Sequence, residues 1–260
     1  MRINIAHDAR PQVRALLSAA ALTVFLWFIP FAELLTYPFR IFVTFIHEGG
    51  HALAAILTGN SVHSLSVAMN GSGEVYSTTG GLFSQMFVSS AGYLGAMAFG
   101  ALLLVLIRRT IAARFVLVGS AALILVLTVA YGFFSPLMHG SLPSLFTLVA
   151  GVVLPAALIA AARFAPPRVA AFLVSFLAVQ CVLNALFDLK TVLFLSSPFA
   201  LGRHTDAANM AAATGIPSFF WALVWVGLAF VILSFALRAY SVSKNRPSQP
   251  DLPFEDPLDI

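Results

Sequence analysis

A single cysteine, Cys181, stands in the whole chain of 260 residues. That count excludes an internal disulfide and any zinc site built on paired thiolates. Charge is almost as scarce. Charged residues make up 9% of the chain against 60% hydrophobic, with a mean hydropathy of +0.95. This balance excludes a soluble globular core and is that of a polytopic membrane protein. No dense basic run is present, so nucleic acid is not an expected partner. The 14 Lys and Arg residues lie in loop and terminal clusters, as in a chain whose basic residues set its orientation in a bilayer. A small-x-small cleavage site is also missing from the first apolar stretch, which carries the bulky Phe25, Trp27 and Phe28. It reads as a retained span rather than a signal peptide. Acids are rarest of all. Between positions 16 and 239 only Glu33, Glu48, Glu74, Asp188 and Asp206 occur, which makes each a candidate for function.

What is abundant is apolar sequence. Segments near 13–36, 39–58, 81–107, 115–134, 143–162, 169–195 and 215–238 approach or exceed the ~20 residues that a bilayer core requires. The expectation is an all-α polytopic membrane protein with about six to seven transmembrane helices in one domain over 1–240. A disordered polar tail over 241–260 would follow, where Pro247, Pro250, Pro253 and Pro257 accompany four acids. No internal repeat is evident, and a two-halved transporter would show one. Residues 60–80 differ in texture. Positions 62–69 alternate loosely, Asn70-Gly71-Ser72-Gly73 is a strong turn signal, and 74–79 read as a second strand. A β-hairpin is expected there, either as a surface loop or as an edge that pairs with an extended substrate.

Within the second apolar segment stands His47-Glu48-Gly49-Gly50-His51, an H-E-x-x-H motif. With six His and four Glu in the chain, chance produces it roughly once in 500 such sequences. On a helix the two histidines sit at i and i+4, about 40° apart, so both imidazoles leave one face. Two neutral imidazoles so placed can hold Zn²⁺, and the glutamate between them can take a proton from a water at the ion. Gly49 and Gly50 each disfavour a helix by roughly 1 kcal/mol relative to Ala, which points to close approach of a partner helix or substrate strand. In the next span Gly92, Ala96 and Gly100 form a small-residue face suited to such packing.

A catalytic zinc site needs a third protein ligand. Asp188, deep in an apolar segment, is the first choice, because an unpaired carboxylate there is costly and a cation would offset its charge. Asn184, one turn earlier on the same face, is placed to orient it or to hold a substrate carbonyl. Lys190, two residues on, points elsewhere on a regular helix. Asp206 is the rival, although Thr205 or Asp206 also makes an ordinary N-cap for a helix over 207–213. His204 is a weaker candidate. His63 and His139 are expected at the interface without a special role, and Cys181 as a packing residue. Arg2, Arg10 and Arg14 on one hand and Arg108, Arg109 and Arg114 on the other ask for the same side of the membrane across three crossings. Either one early segment does not fully cross, as a re-entrant element around the hairpin would allow, or the N-terminal charges do not decide the orientation.

These features resemble the site-2 protease family of intramembrane zinc metalloproteases, in particular its bacterial and plant branch of peptidase-like integral membrane proteins. His47-Glu48-Gly49-Gly50-His51 matches that family's H-E-x-G-H form and runs on into Ala52-Leu53-Ala54-Ala55 and Thr58-Gly59. The hairpin with Gly71-Ser72-Gly73 follows, and Ser90-Ala91-Gly92-Tyr93-Leu94-Gly95 is similar to the family's small-residue segment. The resemblance is good over 39–107 and loose elsewhere. It implies a zinc-dependent endopeptidase with His47 and His51 as ligands and Glu48 as general base. The reaction implied is hydrolysis of peptide bonds in or near transmembrane segments of membrane-anchored protein substrates, in regulated proteolysis. It also implies a place in the lipid bilayer of a bacterial inner membrane. The family's second motif carries an asparagine, a proline and then Asp-Gly. Here Asn184 and Asp188 are four apart with no proline between them, and Leu189 stands in place of the glycine. A non-proteolytic scaffold or transporter that retained the motif helix is the other class, and zinc content separates the two.

Overall fold

The structure is a computed structural model and describes residues 10–26, 28–29, 31–78, 80–108, 112–195 and 205–241. The polar tail expected from 241 lies, beyond Ser241, outside the described residues, as do Arg2, Arg109 and His204. The elements are α1 (Arg10–Leu26), α2 (Glu33–Leu57), β1 (Val62–Val67), β2 (Gly73–Ser77), α3 (Leu82–Arg108) and α4 (Ala113–Leu127). A π-helical stretch, Thr128–Phe134, continues α4 into α5 (Ser135–Met138), followed by α6 (Leu145–Phe164), α7 (Pro167–Leu195), α8 (Asp206–Thr214) and α9 (Ser218–Ser241).

Five helices are long and apolar enough to cross a membrane: Leu82–Ile107, Ala113–Met138, Leu145–Phe164, Pro167–Leu195 and Ser218–Arg238. The protein is an integral membrane protein. The apolar part of α1, Leu16–Leu26, is shorter, and α2 is a 25-residue helix interrupted by Arg40 and the motif. With these two the helices come close to the six or seven expected. Helices α7 and α3 are the innermost, with 61% and 50% of their apolar windows buried, against 22% for α6 and α9. The exposed Val152, Val153, Phe230 and Phe235 on the outer helices form a surface that suits lipid rather than water.

Helix α2 ends because Gly59 adopts a left-handed φ of +79° and the Asn60 N–H returns 2.9 Å to the Ala55 carbonyl, reversing the chain into β1. Strands β1 and β2 form the expected antiparallel hairpin, with Leu65 opposite Val75 and Val67 opposite Gly73, and an irregularity at His63. At the tip Gly71 has φ +82°, and the Asn70 side chain accepts from the Ser72 N–H at 2.9 Å. Two side chains of α2 tie that tip down. The Tyr37 hydroxyl donates to the Met69 carbonyl at 2.6 Å and the Thr44 hydroxyl to the Gly71 carbonyl at 2.9 Å.

The far edge of β1 is occupied. Thr147 of α6 accepts from the Val67 N–H at 2.8 Å and donates to the Val67 carbonyl at 3.1 Å, while the Ser135 hydroxyl donates to the Val62 carbonyl at 2.6 Å. His63 stacks on His139 at 4.0 Å, which helps hold this edge to α5.

The small-residue face of α3 serves two partners. A side chain at Gly50 would collide with the Ala91 carbonyl, so α2 and α3 cross nearly backbone to backbone, with Gly95 also against Gly50. Gly100, two turns on, packs against Cys181 and Val182 of α7. Gly49 faces Leu127 of α4 instead.

Candidate metal centre

One face of α2 presents Arg40, Thr44, His47, Glu48 and His51 to a cleft of about 720 Å³. The hairpin roofs it with Gly71–Val75 residues, α3 supplies Ser89 and Tyr93, α7 supplies Asn184 and Asp188, and α8 supplies Asp206 and Asn209. The i, i+4 spacing does what the helix requires of it. The Nε2 atoms of His47 and His51 lie 3.1 Å apart, with their rings edge to face. Nδ1 of His51 is 2.7 Å from the Val88 carbonyl. A carbonyl only accepts, so this contact assigns the proton to Nδ1 and leaves the Nε2 lone pair free for a ligand.

The third group is Asp206. Its Oδ2 lies 3.5 Å from His47 Nε2 and 3.4 Å from His51 Nε2. These three side chains form the one group among the described residues whose donors lie close enough together to hold a metal ion. The capping role that competed for Asp206 falls to Thr205, whose hydroxyl accepts from the Ala208 N–H at 3.2 Å. Asp206 is thereby free to turn toward the histidines from the first turn of α8.

The donor set fits zinc in kind and in size. Two imidazole nitrogens and a carboxylate oxygen are ordinary zinc ligands, with bonds of about 2.0–2.1 Å. Around a tetrahedral ion such bonds separate the ligands by about 3.3 Å, and the triangle here has edges of 3.1, 3.4 and 3.5 Å. Gly92 keeps the space beside it open, since any Cβ there would collide with Nε2 of both histidines.

Glu48 points from the same helix face and is buried, at 4% exposure. Its carboxylate sits under β2 at Gly73, where a side chain would run into it. Tyr93, which sequence reasoning passed over as one residue of a small-residue segment, lies edge-on to His47 at 4.7 Å and lines the cleft together with Asp206. Nothing in its spacing distinguishes it from a packing aromatic.

Asp188, the first choice for third ligand, stands elsewhere. It is exposed to the cleft on the α7 wall and outside the three-residue group, within electrostatic range of His47 and Arg40. Its helical neighbour Asn184 lines the same wall, and its amide N–H₂ donates to the Gln180 backbone carbonyl at 2.8 Å and side-chain oxygen at 3.2 Å.

The Peptidase M50B-like family matches residues 16–236 of this chain. No curated protein and no solved structure matches it.

Proposed function

The chain belongs to the Peptidase M50B-like family of site-2 proteases, and from that premise we propose that it is an intramembrane zinc endopeptidase. It cleaves peptide bonds in or near transmembrane segments of membrane-anchored proteins, in regulated proteolysis at a bacterial inner membrane. The observation that carries this reading is the triangle of His47 Nε2, His51 Nε2 and Asp206 Oδ2 beside the buried Glu48.

In this reading His47, His51 and Asp206 hold Zn²⁺, with the His51 tautomer set by Val88. The ion supplies Lewis acidity and a water of lowered pKa. Glu48 accepts the proton of the attacking water and passes it to the leaving amine, and its burial keeps bulk water from competing for it. The hairpin supplies a place for the substrate. Residues opposite each other in an antiparallel pair alternate between bonding one another and pointing outward. Ala68 N–H bonds the Ser72 carbonyl, so Val67 and Gly73, the next pair, point their backbone groups outward. On β1 those groups are taken by Thr147, and on β2 they face the cleft at Gly73 and Val75. A substrate segment paired there in extended form lies directly over Glu48. The Asn184 carboxamide on the opposite wall holds a substrate backbone group.

The test is Glu48→Gln in purified protein with a transmembrane peptide substrate. Cleavage should fall by at least ~10²–10³-fold with about one zinc retained per chain. Equal cleavage by the variant would falsify the role of Glu48, and a wild type without zinc would favour a scaffold over an enzyme.

A further inference from the structure

We infer that Asp188 is a specificity-determining residue, whose carboxylate pairs with a lysine or arginine side chain of the segment bound in the cleft. The inference rests on the proposed reading of this cleft as the substrate site.

Asp188 belongs to α7, the most buried of the five spans, and its side chain is exposed to the cleft. An ionisable group inside a span is costly and marks a pathway or a site, with an opposite charge as its usual partner. Neither cation nearby serves. Lys190 turns away and lies over the Phe187 ring, 5.7 Å from its centroid. Arg40 lines the same cleft but stands at the hairpin tip, where a Cβ on Gly71 would run into its guanidinium. Among the described residues the ion pairs are those of His47 and His51 with Asp206, and neither cation joins Asp188. A metal ion does not fill the gap, since the described residues converge as a ligand group only at His47, His51 and Asp206.

The neighbours of Asp188 narrow the chemistry. Asn184 and Thr191, at i−4 and i+3, line the cleft from the same helix face. Both have their donors engaged. The Asn184 amide N–H₂ donates to the Gln180 backbone carbonyl at 2.8 Å and side-chain oxygen at 3.2 Å, and the Thr191 hydroxyl donates to the Phe187 carbonyl at 2.9 Å. These two turns therefore offer the cleft acceptors alone: Asn184 Oδ1, the Asp188 carboxylate and the lone pairs of Thr191 Oγ1. The side chains that only donate and carry a positive charge are the ammonium of lysine and the guanidinium of arginine. A carboxylate on the bound segment finds no donor on this stripe.

The depth of Asp188 fits such a partner. Its span ends at Leu195, about 10 Å further along the helix axis. Lys and Arg are the residues that flank transmembrane segments on their cytoplasmic side, and their long apolar stems carry the charge along the membrane boundary. A membrane-anchored protein thus holds the matching cation beside the segment that the proposed reaction cuts.

The experiment uses full-length, zinc-loaded protein and labelled single-span peptides that differ at one juxtamembrane position, occupied by Lys, Gln or Glu and scanned through the residues flanking the apolar segment. Binding is read by fluorescence anisotropy in Glu48→Gln, where the peptide stays intact, and zinc by metal analysis. At one position Glu48→Gln should bind the Lys peptide about ten-fold more tightly than the Gln peptide, and the Glu peptide most weakly. Adding Asp188→Asn should abolish that preference and adding Asp188→Lys should reverse it in favour of Glu, each with about one zinc per chain retained. Equal affinity for the three peptides at every position, or a Lys preference that survives Asp188→Asn, would overturn the inference alone. Loss of zinc from the Asp188→Asn protein would overturn it too, by making Asp188 a ligand. A protein that shows the preference while its wild type cleaves none of the peptides would overturn the proposed function and leave the inference standing.

Discussion

Two carboxylates line the cleft on neighbouring walls, and they are held in opposite ways. Asp188 sits inside the last third of the central helix α7, about two turns before its end, where it has no hydrogen bond or ion pair with another described residue. Asp206 begins the short helix α8, with Oδ2 at 3.4 and 3.5 Å from two imidazole nitrogens. A helix interior fixes where a side chain starts but leaves its tip only the reach of that side chain. A helix start can be carried bodily to a site, and it also favours a negative group through its unpaired N–H donors. The contrast teaches that a carboxylate is brought among imidazole donors by the element that delivers it, not by how apolar its sequence surroundings are.

The largest expected effect separates the two acids directly. Asp206→Ala should weaken zinc binding by at least ~100-fold and abolish cleavage, while Asp188→Ala keeps about one zinc per chain. Metal analysis after mild dialysis reads both, and the reverse pattern would make Asp188 the ligand. Next in size is Gly92→Ala. The added methyl meets Nε2 of both histidines, and zinc affinity should fall about 10–100-fold through distorted ligands, with the helical circular-dichroism signal intact. Unchanged affinity would mean that the triangle tolerates displacement and that its dimensions are not what selects the ion. The smallest effect sharpens the point about helix starts. Thr205→Ala removes the cap of α8 at a cost of about 1 kcal/mol, so zinc affinity should fall roughly five-fold without loss of fold. An affinity equal to wild type would show that Asp206 is held by its contacts with the histidines and not by the cap.

Much of one half of this site is legible along the chain. His47 and His51 converge because an i, i+4 pair on a helix must, and Asn70-Gly71 announces the turn that brings β2 back over Glu48. Gly50 is readable as a point of close approach, and Ala91 of α3 is what approaches it. The other half depends on the return of the chain from α7 to α8, which no local pattern encodes. Asp206 and Asp188 look alike in one dimension, and only the cap taken by Thr205 releases Asp206 toward the histidines. Tyr93 is harder still, since its place between His47 and Trp225 exists only once α2, α3 and α9 meet around it. The count of spans was readable to within the ambiguous pair, α1 with its short apolar stretch and α2 with its charges.

The most direct test of the central claim is anomalous diffraction at the zinc edge from crystals of the purified protein. The account predicts a single strong peak within bonding distance of His47 Nε2, His51 Nε2 and an Asp206 carboxylate oxygen. A peak ligated by Asp188 in place of Asp206, or no peak between the two histidines in zinc-replete protein, would contradict it.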